Sequence, residues 1–197
     1  MPANISQREA RGVFAGISDH GGWAVVVTAS PEGALPDRRR IELVDADLPK
    51  IPHHSEAQSL PLPEAVALVE RVRASAERHS VLALDALAGD FPGRIRGIAL
   101  RRCPPLPPTI AERITDYHAR NNADWVMYRQ ALAGAAEARG WRVHWFDAKK
   151  VLVEANQFVA GGNLDAHCLE LRRQMGPPWT QDHKIALAAS LVAARAD

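Results

Sequence analysis

Three aspartates stand where side chains of an α/β protein can meet. Asp19 follows the apolar run 12–17, Asp85 follows the short apolar run 81–84, and Asp182 falls in the first turn of the last helical segment. Sites in open α/β sheets form beyond strand ends. Convergent carboxylates repel one another, and Mg²⁺ or Mn²⁺ relieves that repulsion because hard cations take oxygen ligands. Two such ions can hold a phosphodiester and its attacking water.

Each of these acids also has a purely structural interpretation. Asp19 stands two residues before a Gly-Gly pair and is a common type of turn residue. Asp182 is a favourable charge at a helix N-terminus. Asp85 precedes Ala-Leu-Ala, which is not turn chemistry, so a functional role is favoured there. His183, beside Asp182, is a candidate ligand or base, and equally a first-turn histidine packed on a loop.

The elements that must position these residues follow from hydrophobic periodicity and from turn residues. The predicted order is β-β-β-α-β-α-β-α, opening with a three-stranded meander. The run 81–84 is wholly apolar, which is typical of a strand covered on both faces, and it is interpreted as the fourth strand. Thr180 is interpreted as the N-cap of the last helix. The predicted strands are 12–17, 23–29, 38–46, 81–84 and 141–146, with a turn at 31–37, and the predicted helical segments are 63–79, 109–119, 123–139, 147–158, 164–175 and 180–196.

Composition indicates one domain over residues 1–197, long enough to bury a core. The formal net charge is +1, so only local patches could favour nucleic acid. Cys103 and Cys168 have no metal-like spacing, which favours a reducing interior. No apolar signal core and no stretch of roughly 18 apolar residues is present. We expect a soluble cytoplasmic protein without membrane contact.

Several motifs resemble the RNase H-like superfamily, most of all its RuvC-type Holliday-junction resolvase branch. The stretch Asp182-His-Lys-Ile185-Ala-Leu-Ala resembles the resolvase ending D-x-x-D-A-L-A. The stretch AGISDHGGW resembles the opening G-I-D-x-G hairpin, and also the G-I-D-x-x-x-G-G-W hairpin of a group of predicted RNase H-like nucleases. The stretch VLALDA resembles the acid-ended fourth strand, which would put Asp85 at the second catalytic position.

The resemblance implies an RNase H-like α/β fold: a five-stranded mixed sheet, its first three strands antiparallel, with helices on both faces. It also implies Mg²⁺ or Mn²⁺ held by Asp19, Asp85 and Asp182, with His183 as a further catalytic candidate. Two positions depart from the pattern. Ser18 stands where the superfamily has its first aspartate, and Ile185 replaces the second acid of the last helix. A one-residue shift turns a side chain to the other face of a strand, so Asp19 needs an irregular strand end, such as a bulge, to reach the site.

Other residues also have both a functional and a structural interpretation. His53, His54 and Glu56 form a cluster that suits a metal less well than a solvated loop, since no fixed ligand spacing accompanies it; Glu56 and Glu64 remain extra carboxylate candidates. The arginines at 38–40 favour a solvated strand edge, where charges block aggregation, whereas those at 94–102 could equally follow a phosphate backbone. They are Arg38, Arg39, Arg40, Arg94, Arg96, Arg101 and Arg102.

The leading hypothesis is a metal-dependent nuclease of RuvC-like type acting on DNA or RNA, with a homodimer as a possible assembly. The second is a catalytically lapsed RNase H-like module that binds nucleic acid or a protein partner, which Ser18 and Ile185 favour. A third hypothesis is half of an actin-like sugar kinase. The chain is too short for the usual two lobes and lacks a second glycine-rich phosphate loop, and both features count against this hypothesis.

Overall fold

The computed structural model describes residues 12–30 and 37–196, so most of the turn predicted at 31–37 lies outside the described residues. Within these ranges no helix has the length and hydropathy that a membrane crossing requires. The strands are β1 (Val13–His20), β2 (Trp23–Ala29), β3 (Asp37–Glu42), β4 (Ile95–Arg101) and β5 (Arg142–Phe146). The α-helices are α1 (Leu62–Asp90), α2 (Ile110–Thr115), α3 (Tyr117–Glu137), α4 (Val151–Asn156), α5 (Leu164–Met175) and α6 (Gln181–Ala196), with 3₁₀ turns at Glu56–Ser59 and Ala160–Gly162.

The strands form one mixed sheet in the order β3-β2-β1-β4-β5. The first three strands are antiparallel, and β4 and β5 run parallel to β1. A two-residue turn joins β1 to β2, and Gly22 adopts a φ of +79° there, a conformation that glycine tolerates. The predicted architecture is confirmed: the described residues form an α/β fold with a five-stranded mixed sheet, its first three strands antiparallel and helices on both faces.

Alternation along β1 divides the core between the two faces of the sheet. Val13, Ala15 and Ile17 pack with α1, α2 and α3, on what we call the α3 face. Phe14 packs with α4, α5 and α6, on what we call the α6 face. Because successive side chains of a strand point to opposite faces, every residue of β1 is committed to one of these two layers.

The prediction of a fourth strand at 81–84 is wrong. Helix α1 continues through this run to Asp90, and a strand buried on both faces would not leave Val81 and Leu82 exposed. Leu84 and Leu87 are buried at a spacing of one helical turn, as expected for one face of a helix. The run is too short to distinguish a strand from part of a helix by its apolar character. The fourth strand is Ile95–Arg101, which lies outside every strand and helix that the sequence predicted.

Helix α6 lies directly against β1, and Gly16 permits this close approach. A Cβ added at Gly16 would lie 1.8 Å from the carbonyl oxygen of Ala186 and 2.6 Å from the amide nitrogen of Ser190. The Ser190 hydroxyl donates a hydrogen bond of 3.1 Å to the carbonyl of Phe14. Any side chain at Gly16 therefore pushes α6 away from the strand that bears Ser18 and His20.

We predict that Gly16→Ala destabilises the protein by about 1–3 kcal/mol, the usual cost of overpacking a core. Gly89→Ala is the matched control, because a Cβ there meets nothing within 4 Å on an exposed turn of α1. We expect this control to be neutral or stabilising by up to about 1 kcal/mol, since alanine favours helix. Urea unfolding of both variants measures the difference, and equal stabilities would contradict the close packing of α6 on β1.

Candidate nucleic-acid interface

Ser18, the residue at the position of the expected acid, faces Asp182. The β1–β2 ladder is regular from Phe14 to His20, so Ser18 points to the α6 face. The Ser18 hydroxyl donates a hydrogen bond of 2.9 Å to Oδ1 of Asp182. Nε2 of His20, two residues further along the same face, lies 2.8 Å from that oxygen. Oδ1 of Asp182 thus links the start of α6 to the end of β1.

Asp19 points to the opposite face of the sheet. Its carboxylate accepts a hydrogen bond of 2.8 Å from Nε of Arg129 on α3, and both side chains are buried. Burial raises the pKa of the Asp19 carboxyl, while the Arg129 guanidinium opposes that rise. The irregularity of β1 falls between Val13 and Phe14, far from Asp19. The bulge that would re-aim Asp19 is therefore not formed.

Asp85 lies on α1 rather than at a strand end. Its side chain is 62% exposed and is paired with Arg139. Helix α1 packs on the α3 face, whereas α6, which carries Asp182, packs on the other face. The three predicted carboxylates therefore belong to three separate groups: Asp19 with Arg129, Asp85 with Arg139, and Asp182 with Ser18 and His20.

These residues do not fit the Mg²⁺ or Mn²⁺ site that the resemblance implies. Among residues 12–30 and 37–196, no group of three or more histidine, cysteine, aspartate or glutamate side chains is placed to hold a metal. Asp182 is accompanied by one imidazole and one hydroxyl, whereas a pair of hard cations requires several shared carboxylates. Ile185 lies partly buried against the core of the α6 face.

His183 is occupied by the N-terminus of α6. The backbone N–H of Thr180 donates a hydrogen bond of 3.1 Å to Nδ1 of His183, and the Thr180 hydroxyl lies 2.9 Å from the same nitrogen. The imidazole also packs against Trp179, with ring centroids 5.5 Å apart. Burial lowers the pKa of His183 and Arg38 lowers it further, while Asp182 opposes them. These contacts satisfy an N–H at the helix start, as a capping side chain does.

A cavity of about 360 Å³ opens beside Asp182, between β2, β3 and the segment that leads into α6. We call it the α6 groove. Its lining contains one carboxylate and several cationic side chains. The lining residues are Trp23, Val25, Arg38, Arg39, Arg40, Pro178, Thr180, Asp182 and His183.

An aromatic and cationic stack forms one side of the α6 groove. The His20 and Trp23 rings are 4.1 Å apart and nearly parallel, at 9°. The Arg40 guanidinium lies 3.8 Å from the centre of the Trp23 ring. Two groups at this distance cannot share one side of a ring, so they cover opposite faces of Trp23. The side chains of His20 and Arg40 remain 40% and 51% exposed, respectively.

The three consecutive arginines of β3 have different partners. Arg38 donates to the carbonyl oxygen of Pro178 at 2.5 Å, and its guanidinium lies 5.6 Å from the centre of the Trp179 ring. Arg39 pairs with Asp37 and Asp90. Arg40 donates to Glu42 at 2.7 Å through Nε. Arg38 therefore anchors the segment before α6, whereas Arg40 remains half exposed beside Glu42.

Sequence reasoning missed His20, Trp23 and Arg40 as a group. The signal that could have found them was the Gly-Gly turn, because a two-residue hairpin loop puts His20 opposite Trp23. Val25 pairs with Arg40 on β3, so Arg40 shares the face of Trp23. The alternation of side chains then brings the three onto one side of the sheet.

No family model matches the sequence, and a search of curated proteins finds no match. Among solved structures, the chain is similar to T. thermophilus RuvC in complex with Holliday junction substrate, at 14% identity over 94% of each chain and a TM-score of 0.47. It is also similar to a second Thermus thermophilus RuvC structure, at 15% identity over 93% of this chain and 94% of that one, with a TM-score of 0.47. At such identities, the function of this chain has to be inferred from its own side chains.

We predict that Ser18→Asp creates a cation site that the wild type lacks. The new carboxylate would stand next to Asp182 and His20, and without a cation the two acids would repel each other. We expect a lower melting temperature in EDTA and a rise of about 2 °C or more in millimolar Mn²⁺, by mass action. Ser18→Asn is the uncharged control. An equal rise in the wild type would show that its residues already hold the ion.

We predict that His183 makes stability depend on pH. Its pKa in the folded protein lies below the ordinary 6.5. Its contribution is thus complete above the ordinary pKa and is lost as pH falls through it towards the folded value. The free energy of unfolding should fall between about pH 7.5 and about pH 5, and by less in His183→Asn, whose side-chain oxygen can still accept from Thr180. Urea unfolding at both pH values tests this, and identical pH dependence in the two proteins would refute it.

Proposed function

We propose that this chain is a nucleic-acid-binding module with an RNase H-like fold, whose α6 groove holds a single strand without hydrolysing it through metal ions. The observation that carries the proposal is the hydrogen bond between Ser18 and Asp182. A hydroxyl occupies the place where metal-dependent hydrolysis would need a second carboxylate. The neighbouring acid, Asp19, is engaged with Arg129 on the other face.

The chemistry of the groove supports a nucleic-acid ligand. Arg40 presents a half-exposed guanidinium beside an aromatic ring, and cations of this kind contact phosphate oxygens. His20 covers one face of Trp23 and is itself partly exposed, so its outer face can stack on a base. Stacking of a base on an aromatic side chain contributes about 1–3 kcal/mol and tolerates any sequence.

A single strand fits these groups better than a duplex does. The aromatic side chains lie flat against each other beside the β1–β2 turn, and only an unstacked base can present its face to them. The cationic surface is small, since Arg38 and Arg39 are engaged with the protein and Glu42 lies beside Arg40. We therefore expect weak binding and a shallow salt dependence, corresponding to about one to three phosphate contacts.

The competing hypothesis is the metal-dependent nuclease that the sequence first indicated. Asp182 stands at the start of α6, at the place of the first acid in the resolvase ending, and among the three predicted carboxylates only Asp182 supports the nuclease hypothesis. Hydrolysis would need further carboxylates beside Asp182, and neither Asp19 nor Asp85 is among its partners. Cleavage of labelled DNA or RNA by the wild type in Mn²⁺, abolished in Asp182→Asn, would favour the nuclease over the binding module.

We predict that Arg40→Gln weakens binding of a fluorescently labelled single strand by about fivefold or more, because one phosphate contact is lost. Anisotropy titrations with DNA and RNA strands, a duplex and a four-way junction measure this and rank the substrates. Arg78→Gln is the matched control, an exposed arginine of α1 that also pairs with an acid, Asp45. Equal losses in both variants, or no binding by the wild type, would contradict the proposal.

A further inference from the structure

The connection between β4 and α2 consists largely of proline. Its central stretch, 104–108, reads Pro-Pro-Leu-Pro-Pro, and it forms neither helix nor strand. Each proline ring fixes φ at about −65°, and a residue that precedes proline is restricted to extended backbone. Every residue of 103–107 is a proline or precedes one, and the peptide bonds of this stretch are trans. These restrictions specify the polyproline II conformation.

The exposure of the side chains repeats with the period of this conformation, about three residues per turn. Arg102, Pro105 and Pro108 are exposed, whereas Cys103 and Leu106 are half-buried. One edge of the segment therefore faces outward while another packs on the protein. The outward edge presents one arginine and two prolines at regular spacing, Arg102-x-x-Pro105-x-x-Pro108.

Both ends of the segment are fixed to the folded protein. The backbone N–H of Arg102 donates a hydrogen bond of 2.9 Å to the carbonyl of Phe146. At the other end, the Arg113 guanidinium donates to the carbonyls of Pro107 and Pro108, at 2.7 and 3.2 Å. The segment is thus already held in the extended form that a partner would otherwise have to impose, which reduces the entropy lost on binding.

Between these two anchors the backbone keeps its hydrogen-bonding capacity unused. Proline has no N–H to donate, and within the described part of the chain the carbonyls of Pro104 and Pro105 accept no hydrogen bond. Grooves lined by aromatic side chains recognise this combination of rigid rings and open carbonyls. The rings pack between the aromatic side chains, whose N–H or O–H groups can donate to the carbonyls. A carboxylate beside such a groove would pair with the guanidinium of Arg102.

We propose that residues 102–108 dock in a groove of a partner protein that is lined by parallel aromatic side chains and carries a carboxylate at one end. Pro105 and Pro108 lie between the aromatic rings, and Arg102 pairs with the carboxylate. SH3 domains have a groove that recognises proline-rich segments in this way. None of residues 102–108 lines the α6 groove, so docking does not require nucleic acid.

The probe is an isotope-labelled SH3 domain that selects ligands of the form Arg-x-x-Pro-x-x-Pro. We expect the intact protein to shift the NMR signals of the aromatic groove. It should bind at least as tightly as a synthetic peptide of residues 101–109, because the fold has already ordered the segment. Binding of the peptide without binding of the protein would mean that the fold withholds the motif. That result, or no binding of either ligand, would overturn the proposal.

Matched variants test the two kinds of contact. Pro105→Ala should weaken binding about fivefold or more, because it removes a ring from the outward edge, whereas Pro92→Ala, at an exposed proline outside the segment, should not. Arg102→Gln should cause a similar loss and reduce the salt dependence of binding, whereas Arg94→Gln, at another exposed arginine, should do neither. Unchanged melting temperatures would verify that the variants fold.

Equal losses in a variant and its control would refute the proposal. It would also be refuted if Arg102→Gln weakened the binding of the labelled single strand and left the affinity for the SH3 domain unchanged, because the segment would then belong to the nucleic-acid interface.

Discussion

The alternation of side chains along β1 is the constraint on which the candidate site depends. Ser18 and His20 point to the α6 face and together hold Asp182, whereas Asp19 points to α3 and pairs with Arg129. A strand with a period of two residues cannot present adjacent residues to one face without a bulge. The position of a single serine therefore decides which chemistry the start of α6 can take part in.

The buried pair of Asp19 and Arg129 makes this register difficult to change. Moving Asp19 towards Asp182 would leave the Arg129 guanidinium buried without its partner, and breaking such a pair commonly costs about 3–5 kcal/mol. Packing on the α6 face also opposes a change of register. At Gly16 the helix α6 lies so close to β1 that any rotation of the strand would bring a side chain against the carbonyl of Ala186. Packing on both sides thus keeps Ser18, and not Asp19, beside Asp182.

Local patterns were sufficient to predict much of the fold and failed at one point with large consequences. The hairpin β1–β2, the strand Arg142–Phe146 and the helix Leu164–Met175 follow from turn residues and periodicity. The run 81–84 did not reveal its state, because four apolar residues are compatible with a buried strand and with part of a helix, and only the continuation of α1 to Asp90 decides between them. Asp85 was assigned to a strand end on that basis. The assignment of Asp19 depended on register, which resemblance at the level of short motifs does not determine.

The groups that the sequence did not bring together have one property in common: each forms across elements that are distant in the chain. Arg40 reaches Trp23 through the pairing of β2 with β3, and His53 reaches Asp124 across 71 residues. The two groups lie on opposite faces of the sheet. Both β1 and β2 place alternate residues in the two layers of the core. Because interiors are close-packed, a shift of side chains on one face has to be accommodated by strands that also carry the other face.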